Sequence, residues 1–408
     1  MKRRSLLAFL VIILSLATAA SRAIRTDPKP AETTRIVEIP FELVARHIVV
    51  KVKIDNSRPL SFVFDTGDKV AIVDAERAKE LGLKLEGQLR VGGAGSGFLN
   101  GSFVREASWT IPGLDGFSQP VALAMPLGRM AARFGHDFDG IIGSDFIKQF
   151  VVEIDYAKRL LRLHDKEKFI YSGPGESIPI QLDGLGYPSL DAEVTPVGGK
   201  PLQGRFVLDI GSGGGLGLHS PFVVEHKFLT SGLKTIRAIG LGGAGGQTVG
   251  QIGRVSELKI GKFSIANPTV LFSEDKAGAF ANRNLAGNIG QRVASKFRLF
   301  LDYDRERIIL EPAANFNEPS DRAFSGIALT SEDKDYTTFR IIDVLESSPA
   351  SEVGLQRDDL ILQVDDKPAR ELTITELSEM FERPVAYKLT IRRGDKTLQL
   401  RLVPRKLV

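Results

Sequence analysis

The chain has no cysteine among its 408 residues. That excludes disulfide bonds, thiol chemistry and a lipid-modified cysteine anchor. Histidine is scarce as well: His47, His136, His164, His219 and His226 are the whole supply, and no two stand at metal-ligand spacing. Each is read as surface or core, and no metal site is expected. Charge of either sign is not in excess. The formal net charge is +4, and Lys2, Arg3 and Arg4 supply three of those charges. The rest is nearly neutral, so neither nucleic acid nor an acidic surface is implied as a partner. Ser144 and Ser212 follow glycines but lack the glycine two positions earlier that a nucleophile elbow requires. Serine hydrolase chemistry is therefore not indicated.

What is present begins with a short basic start, an apolar run from Leu6 to Leu16 and small residues Ala17, Thr18 and Ala19. The run is short of the ~20 residues a membrane span needs. The layout is that of a signal peptide over residues 1–20, followed by a linker over 21–34 that contains Pro28 and Pro30. Export without disulfides suits a bacterial periplasm or cell surface, with a membrane partner only if the leading segment is retained. The remaining length is too great for one core and implies several domains.

Phe62-Val63-Phe64-Asp65-Thr66-Gly67 is an apolar strand that ends on an acid in a tight turn. Alone it means little, since Asp and Gly are ordinary turn residues. A second copy lies 144 residues later, at Phe206-Val207-Leu208-Asp209-Ile210-Gly211-Ser212. Each copy continues in the same order. First comes a Gly-rich segment containing Gly93 and Gly95, or Gly243 and Gly245. Next is Gly140-Ile141-Ile142-Gly143, or Gly287-Asn288-Ile289-Gly290. An apolar strand ending in Asp155-Tyr156, or Asp302-Tyr303, follows. From each Asp to the Gly that opens the later element is 75 residues in one copy and 78 in the other. Such agreement implies two duplicated lobes.

Local patterning fills in the lobes. Alternation from Ile48 to Ile54 predicts a strand that turns at 56–59 into Ser61 to Phe64. Helices are expected at 75–81 and 221–228, with Gly82 stopping the first. The Gly-rich segments lead into strand-like sequence rather than a helix, so they read as hairpin tips and not phosphate loops. His136-Asp137-Phe138-Asp139 raises the thought of a cation site, but a polar turn ahead of the Gly140 strand explains it more simply.

These paired elements resemble the pepsin-like and retropepsin-like aspartic proteases, over about residues 35–313. The resemblance implies a mostly β fold of two acid-protease barrel lobes, 35–170 and 171–315, paired within one monomeric chain. It makes Asp65 and Asp209 the catalytic pair. Thr66, Gly67, Ile210, Gly211 and Ser212 become the active-site turns, and Gly93, Gly95, Gly243 and Gly245 the flaps. It implies peptide or protein substrates and no cofactor. Two carboxylates held close cannot both ionise cheaply, so one proton is shared and a water can be activated between them. Two positions depart from the family pattern. Ile210 stands where a Thr or Ser hydroxyl would bond across the lobes, and Asp68 stands where Ser or Ala is usual. If Asp68 lies near the pair, it pushes a pKa upward. The rival reading is a catalytically silent peptide-binding scaffold.

A third unit, residues 324–408, resembles a bacterial PDZ domain, an α+β fold. Its marks are Phe324-Ser325-Gly326-Ile327, a strand from Phe339 to Val344, Ser348-Pro349-Ala350, a strand from Leu360 to Val364 and a helix from Ile374 to Arg383. By that resemblance Phe324, Ser325, Gly326 and Ile327 form the loop that receives a peptide carboxylate, and the peptide adds as a strand beside it. Asp358 falls where such domains have Gly.

Overall fold

In a computed structural model, residues 35–408 are described except for 115–116, 231, 241–242, 244 and 320–322. The expected signal peptide and linker lie outside the described residues. The duplication legible in the sequence becomes a duplication of sheet topology. In the first half the strands run side by side as His47–Ile54, Leu60–Phe64, Gly140–Ile142, Ala71–Asp74, Ala122–Met125, Phe98–Arg105, Lys84–Gly92. The second half repeats this order with Pro188–Thr195, Leu202–Leu208, Gly287–Ile289, Leu216–Leu218, Thr269–Ser273, Thr248–Arg254, Ile236–Gly240. Even the sense of pairing is kept. Gly140–Ile142 lies parallel to Leu60–Phe64, and Gly287–Ile289 lies parallel to Leu202–Leu208.

Leu60–Phe64 is buried at every residue because both faces are covered: Leu60, Phe62 and Phe64 enter the main core and Val63 a second apolar cluster. The glycine that opens each later strand has a steric reason. A Cβ at Gly140 would fall 2.2 Å from the Ile72 carbonyl oxygen, and one at Gly287 would fall 2.0 Å from that of Gly217. Only glycine lets the strands approach so closely.

A six-stranded sheet joins the halves, with three strands from each: Arg35–Pro40, Leu160–His164 and Val151–Asp155 from the first, Phe297–Asp302, Arg307–Pro312 and Glu176–Pro179 from the second. Its central pair sets Val152 opposite Leu301 and Ile154 opposite Leu299. Glu153, 2% exposed in this sheet, accepts hydrogen bonds from Arg162 of its own half and from Arg298 Nε of the other at 2.8 Å. Burial pushes its carboxyl up, but His164, Arg298 and Arg162 outweigh this and bring it down to about 2.

Helix ends differ from expectation by a few residues. Ala75–Glu80 is capped by the Asp74 carboxylate, and Gly82 follows at φ +66. The second-half helix is Ser220–Glu225, ending early because Lys227 turns left-handed at φ +54. Asp139 lies in the irregular stretch that leads into the Gly140 strand, past a turn at Gly135. Its carboxylate accepts from Ser61 N at 2.8 Å and Arg77 Nε at 2.7 Å, an internal prop rather than a cation site.

The C-terminal unit has its own core, built on Phe339, Ile341, Leu377, Leu389, Ile391 and Leu402. Its sheet runs Ile327–Ser331, Phe339–Val344, Leu360–Val364, Tyr387–Arg393, Lys396–Leu402. Asp358 takes φ +72, the conformation that glycine adopts freely, which explains the usual glycine there. Its N–H donates to Ile341 O at 2.8 Å and its carbonyl accepts from Arg340, so the turn forms regardless. The helix is Ile374–Met380, with a capping box of Thr373 and Glu376. It stops before Arg383 because the next residue is Pro384.

Candidate active site

The two Asp-x-Gly turns meet. Each acid leaves the end of its strand with its backbone N–H donating to the later parallel strand, Asp65 to Ile142 O at 3.0 Å and Asp209 to Ile289 O at 2.9 Å. The Asp65 carboxylate accepts from Gly67 N at 2.6 Å and, across the lobes, from Gly211 N at 3.1 Å. A Cβ at Gly211 would sit 2.0 Å from Asp65 Oδ2, and one at Gly67 would sit 3.0 Å from Asp209 Oδ1. Both glycines are there because each turn needs the space a side chain would fill. Ser212 donates its N–H back to Asp209 O at 3.2 Å and so closes the second turn.

Thr66 locks the turns together. Its hydroxyl donates to Leu208 O at 2.6 Å and accepts from Ile210 N at 3.0 Å, wholly buried. Ile210 returns no such bond; its side chain is 0% exposed in the main core. The clasp is one-sided, as the sequence implied.

Asp65, Asp68 and Asp209 crowd a partly open, poorly solvated spot. Burial pushes the Asp65 carboxyl well up, and the charges of Asp209 and Asp68 push it further. Asp209 is raised by burial too, opposed first by a hydrogen bond from Asn288 Nδ2 to its Oδ2 at 3.1 Å. Asp68 is pushed up to about 7, by burial and then by Asp209. Asp68 is half-buried one residue past Gly67, and its charge bears on the pair.

Several neighbours were not singled out by sequence. Burial and then the charges of Asp68 and Asp65 raise the Tyr187 phenol. It belongs to a loop held across the lobes by Ser144 Oγ, which donates to Gly186 O at 3.0 Å, and by Lys69 Nζ, which donates to Gly184 O at 3.3 Å. No local signal betrays such a residue. Asn288 donates to Asp209 with His219 behind it, and His47 lies against the Gly211–Gly213 stretch, brought down to about 4 chiefly by burial. Among the described residues no three His, Asp or Glu side chains are placed to hold a metal ion.

The Gly-rich segments are hairpin tips, and they meet each other. Gly97 N donates to Gly245 O at 2.7 Å, and Ala279 N donates to Gly93 O at 3.2 Å. A Cβ at Gly95 would fall 2.5 Å from Gly245 O, and one at Gly243 would come to 3.7 Å from Ala94 Cβ.

In the C-terminal unit, the Phe324 amide is bonded to Arg405 O at 2.9 Å and the Ile327 amide to Ser325 Oγ at 3.2 Å. The Ser325 carbonyl accepts from Ala350 N, and Gly326, at φ +83, abuts Ser348. Helix Gly128–Phe134 of the first half packs on Ile327–Ser331 and on Ile374–Met380, the place where an added peptide strand would lie. Just past that helix, a Cβ at Gly135 would be 2.6 Å from Ile374 Cγ2. Glu382 accepts from Arg46 of the first half at 2.6 Å and from Arg292 of the second at 2.5 Å.

Comparison with known families agrees with this arrangement. Residues 50–146 match the aspartyl protease family, and residues 316–392 match the PDZ domain. The first match covers the half that carries Asp65. The likeness of the second half rests on the repeated order of its strands. No curated protein matches the chain.

Proposed function

We propose that the chain is an exported aspartic endopeptidase of a bacterial periplasm or cell surface, hydrolysing peptide bonds with a water activated between Asp65 and Asp209. One observation carries this reading. Turns from two duplicated halves interlock so closely that a Cβ on Gly211 would overlap the Asp65 carboxylate. Two acids so held share a proton. Asp65, raised by burial and then by both other acids, keeps it and polarises the peptide carbonyl as the general acid. Asp209, which receives the Asn288 N–H, is the ionised member and takes a proton from the water. No covalent intermediate and no cofactor are required. The paired flaps bound the cleft, the halves pair within a single chain, and the C-terminal unit recruits peptide or protein partners.

The test is cleavage of casein and of a peptide library by the mature chain, with and without pepstatin. Wild type should cleave and be inhibited. Asp65→Asn and Asp209→Asn should each lose nearly all activity, and the double variant should lose little more. Binding of peptides without cleavage at any pH would leave a silent scaffold as the function.

A further inference from the structure

Building on the hydrolase reading, we infer that Asn288 and His219 are positioning residues that hold Asp209 as the ionised member of the pair, a device the first half lacks. The two halves can be compared residue by residue. Ile141 lies opposite Val63 on the strand that delivers Asp65, and Asn288 lies opposite Val207 on the strand that delivers Asp209. Ile141 packs in an apolar cluster with Val49, Val63 and Ile72. Asn288 instead donates Nδ2–H to Asp209 Oδ2 at 3.1 Å.

An amide so used presents its oxygen on the other side. Both ring nitrogens of His219 face acceptors, Nε2 with Asn288 Oδ1 at 2.8 Å and Nδ1 with Asn282 O at 3.4 Å, and the shorter contact takes the single ring proton. A flipped amide would set its oxygen against the Asp209 carboxylate and its N–H groups against the imidazole N–H. The Asp209 carboxylate, which can only accept, and the His219 Nε2–H together favour the end of Asn288 that faces the acid. The ring itself is held firmly: it is 1% exposed, its backbone N–H donates to Ala286 O at 2.8 Å, and its centroid is 5.5 Å from that of Phe280. Burial pushes its pKa down, which keeps it neutral with a single proton. In the first half the equivalent position is Asp74, whose carboxylate is occupied by Glu76 N, Arg77 N and Leu127 N.

The loop behind His219 reaches the flap. Ser220 Oγ donates to Asp275 O at 2.5 Å, His219 Nδ1 lies 3.4 Å from Asn282 O, and between them Ala279 N donates to Gly93 O of the first-half tip. The other titratable groups facing Asp209 are Asp65, Asp68 and Tyr187, with His47 behind its turn.

The experiment measures kcat and KM against pH on a fluorogenic peptide, with carboxyl-carbon NMR titration of Asp209 beside it. Asn288→Ile, which copies the first half, should lower kcat about tenfold or more and leave KM nearly unchanged. The acid limb should move up by about one pH unit, because the charge-assisted bond to the ionised form is lost. His219→Ala should act in the same direction. His219→Gln, whose amide N–H can reach Asn288 Oδ1, should restore the wild-type profile. The Asp209 titration midpoint should rise in the first two variants whether or not the chain hydrolyses the probe. Folded Asn288→Ile and His219→Ala proteins with an unmoved Asp209 midpoint would overturn the inference. An unmoved midpoint in an active enzyme leaves the hydrolase reading intact, and a moved midpoint in an inactive chain removes only that reading.

Discussion

Thr66 makes two buried hydrogen bonds across the lobes, and Ile210 makes none in return. Thr66→Ile would strand the Leu208 carbonyl and the Ile210 N–H, each at a cost of about 1–3 kcal/mol. A lower melting temperature together with reduced kcat is the expected outcome, and thermal unfolding beside initial rates checks it. Ile210→Thr should keep activity, because the pseudo-symmetric partners are Phe64 O and Thr66 N. Asp68 offers a pH signature. Its carboxyl is raised to about 7, so folding favours its protonated form, and that advantage is lost as pH climbs from about 4 through 7. Asp68→Asn should therefore stabilise the protein at pH 8, by on the order of 2 kcal/mol after screening at a partly open site, and do little at pH 4. Above pH 7 the ionised Asp68 also helps retain the shared proton. The alkaline limb of the rate profile should then move to lower pH in the variant, and equal limbs would place Asp68 outside the mechanism. Asp65 and Asp209 could be read from sequence because they recur with their surroundings. Asn288 could not be singled out in one copy, where an Asn in a short strand is unremarkable; its signal lies in the contrast with Ile141. Tyr187 had no sequence signal, since only tertiary bonds to Ser144 and Lys69 bring its loop to the acids.

At the scale of elements, strands were legible where alternation or a buried run was strong, and helix ends were not. The second-half helix ends where Lys227 goes left-handed, a choice that side-chain pattern does not encode. Helix Gly128–Phe134 carries no sequence signal, since its Arg and Ala residues form no long apolar stripe, and it matters through what it covers. The hairpins were legible from glycine content, but their meeting was not. That contact gives a test of the flaps. Gly95 has φ +89, and a Cβ there would press on Gly245 O at 2.5 Å, so Gly95→Ala should part the tips. Slower turnover of a peptide substrate with global stability within about 1 kcal/mol of wild type is expected. Unchanged steady-state kinetics would mean that the tips play no part in holding substrate.

For the whole molecule, every strand that delivers or backs the two acids lies between residues 35 and 312. Removing residues 319–408 should leave the acids assembled and small-peptide cleavage measurable. The truncated chain should still melt earlier, because Arg46 and Arg292 lose the one carboxylate they share and Ile236 and Ile252 lose the cover of Phe324, Leu407 and Val408. The same arrangement predicts that the isolated C-terminal unit binds a C-terminal peptide library more tightly than the full chain does, since helix Gly128–Phe134 covers the strand edge. Fluorescence anisotropy on both proteins decides this, and equal affinities would mean that the helix does not compete.

The sheet that draws three strands from each half also bears on how such a protein can change. In a symmetric pair of identical chains, every substitution appears twice, once on each side of the axis. Here both halves lie on one chain, so a mutation touches only one of them. Three one-sided features stand around the acids: Thr66 against Ile210, Asp68 against Ser212, and Asn288 against Ile141. Duplicated, the last of these would defeat itself. An amide on each carboxylate would favour ionising both, and no proton would remain to be shared. Joining the halves in one polypeptide lets acid and base be specified by separate codons.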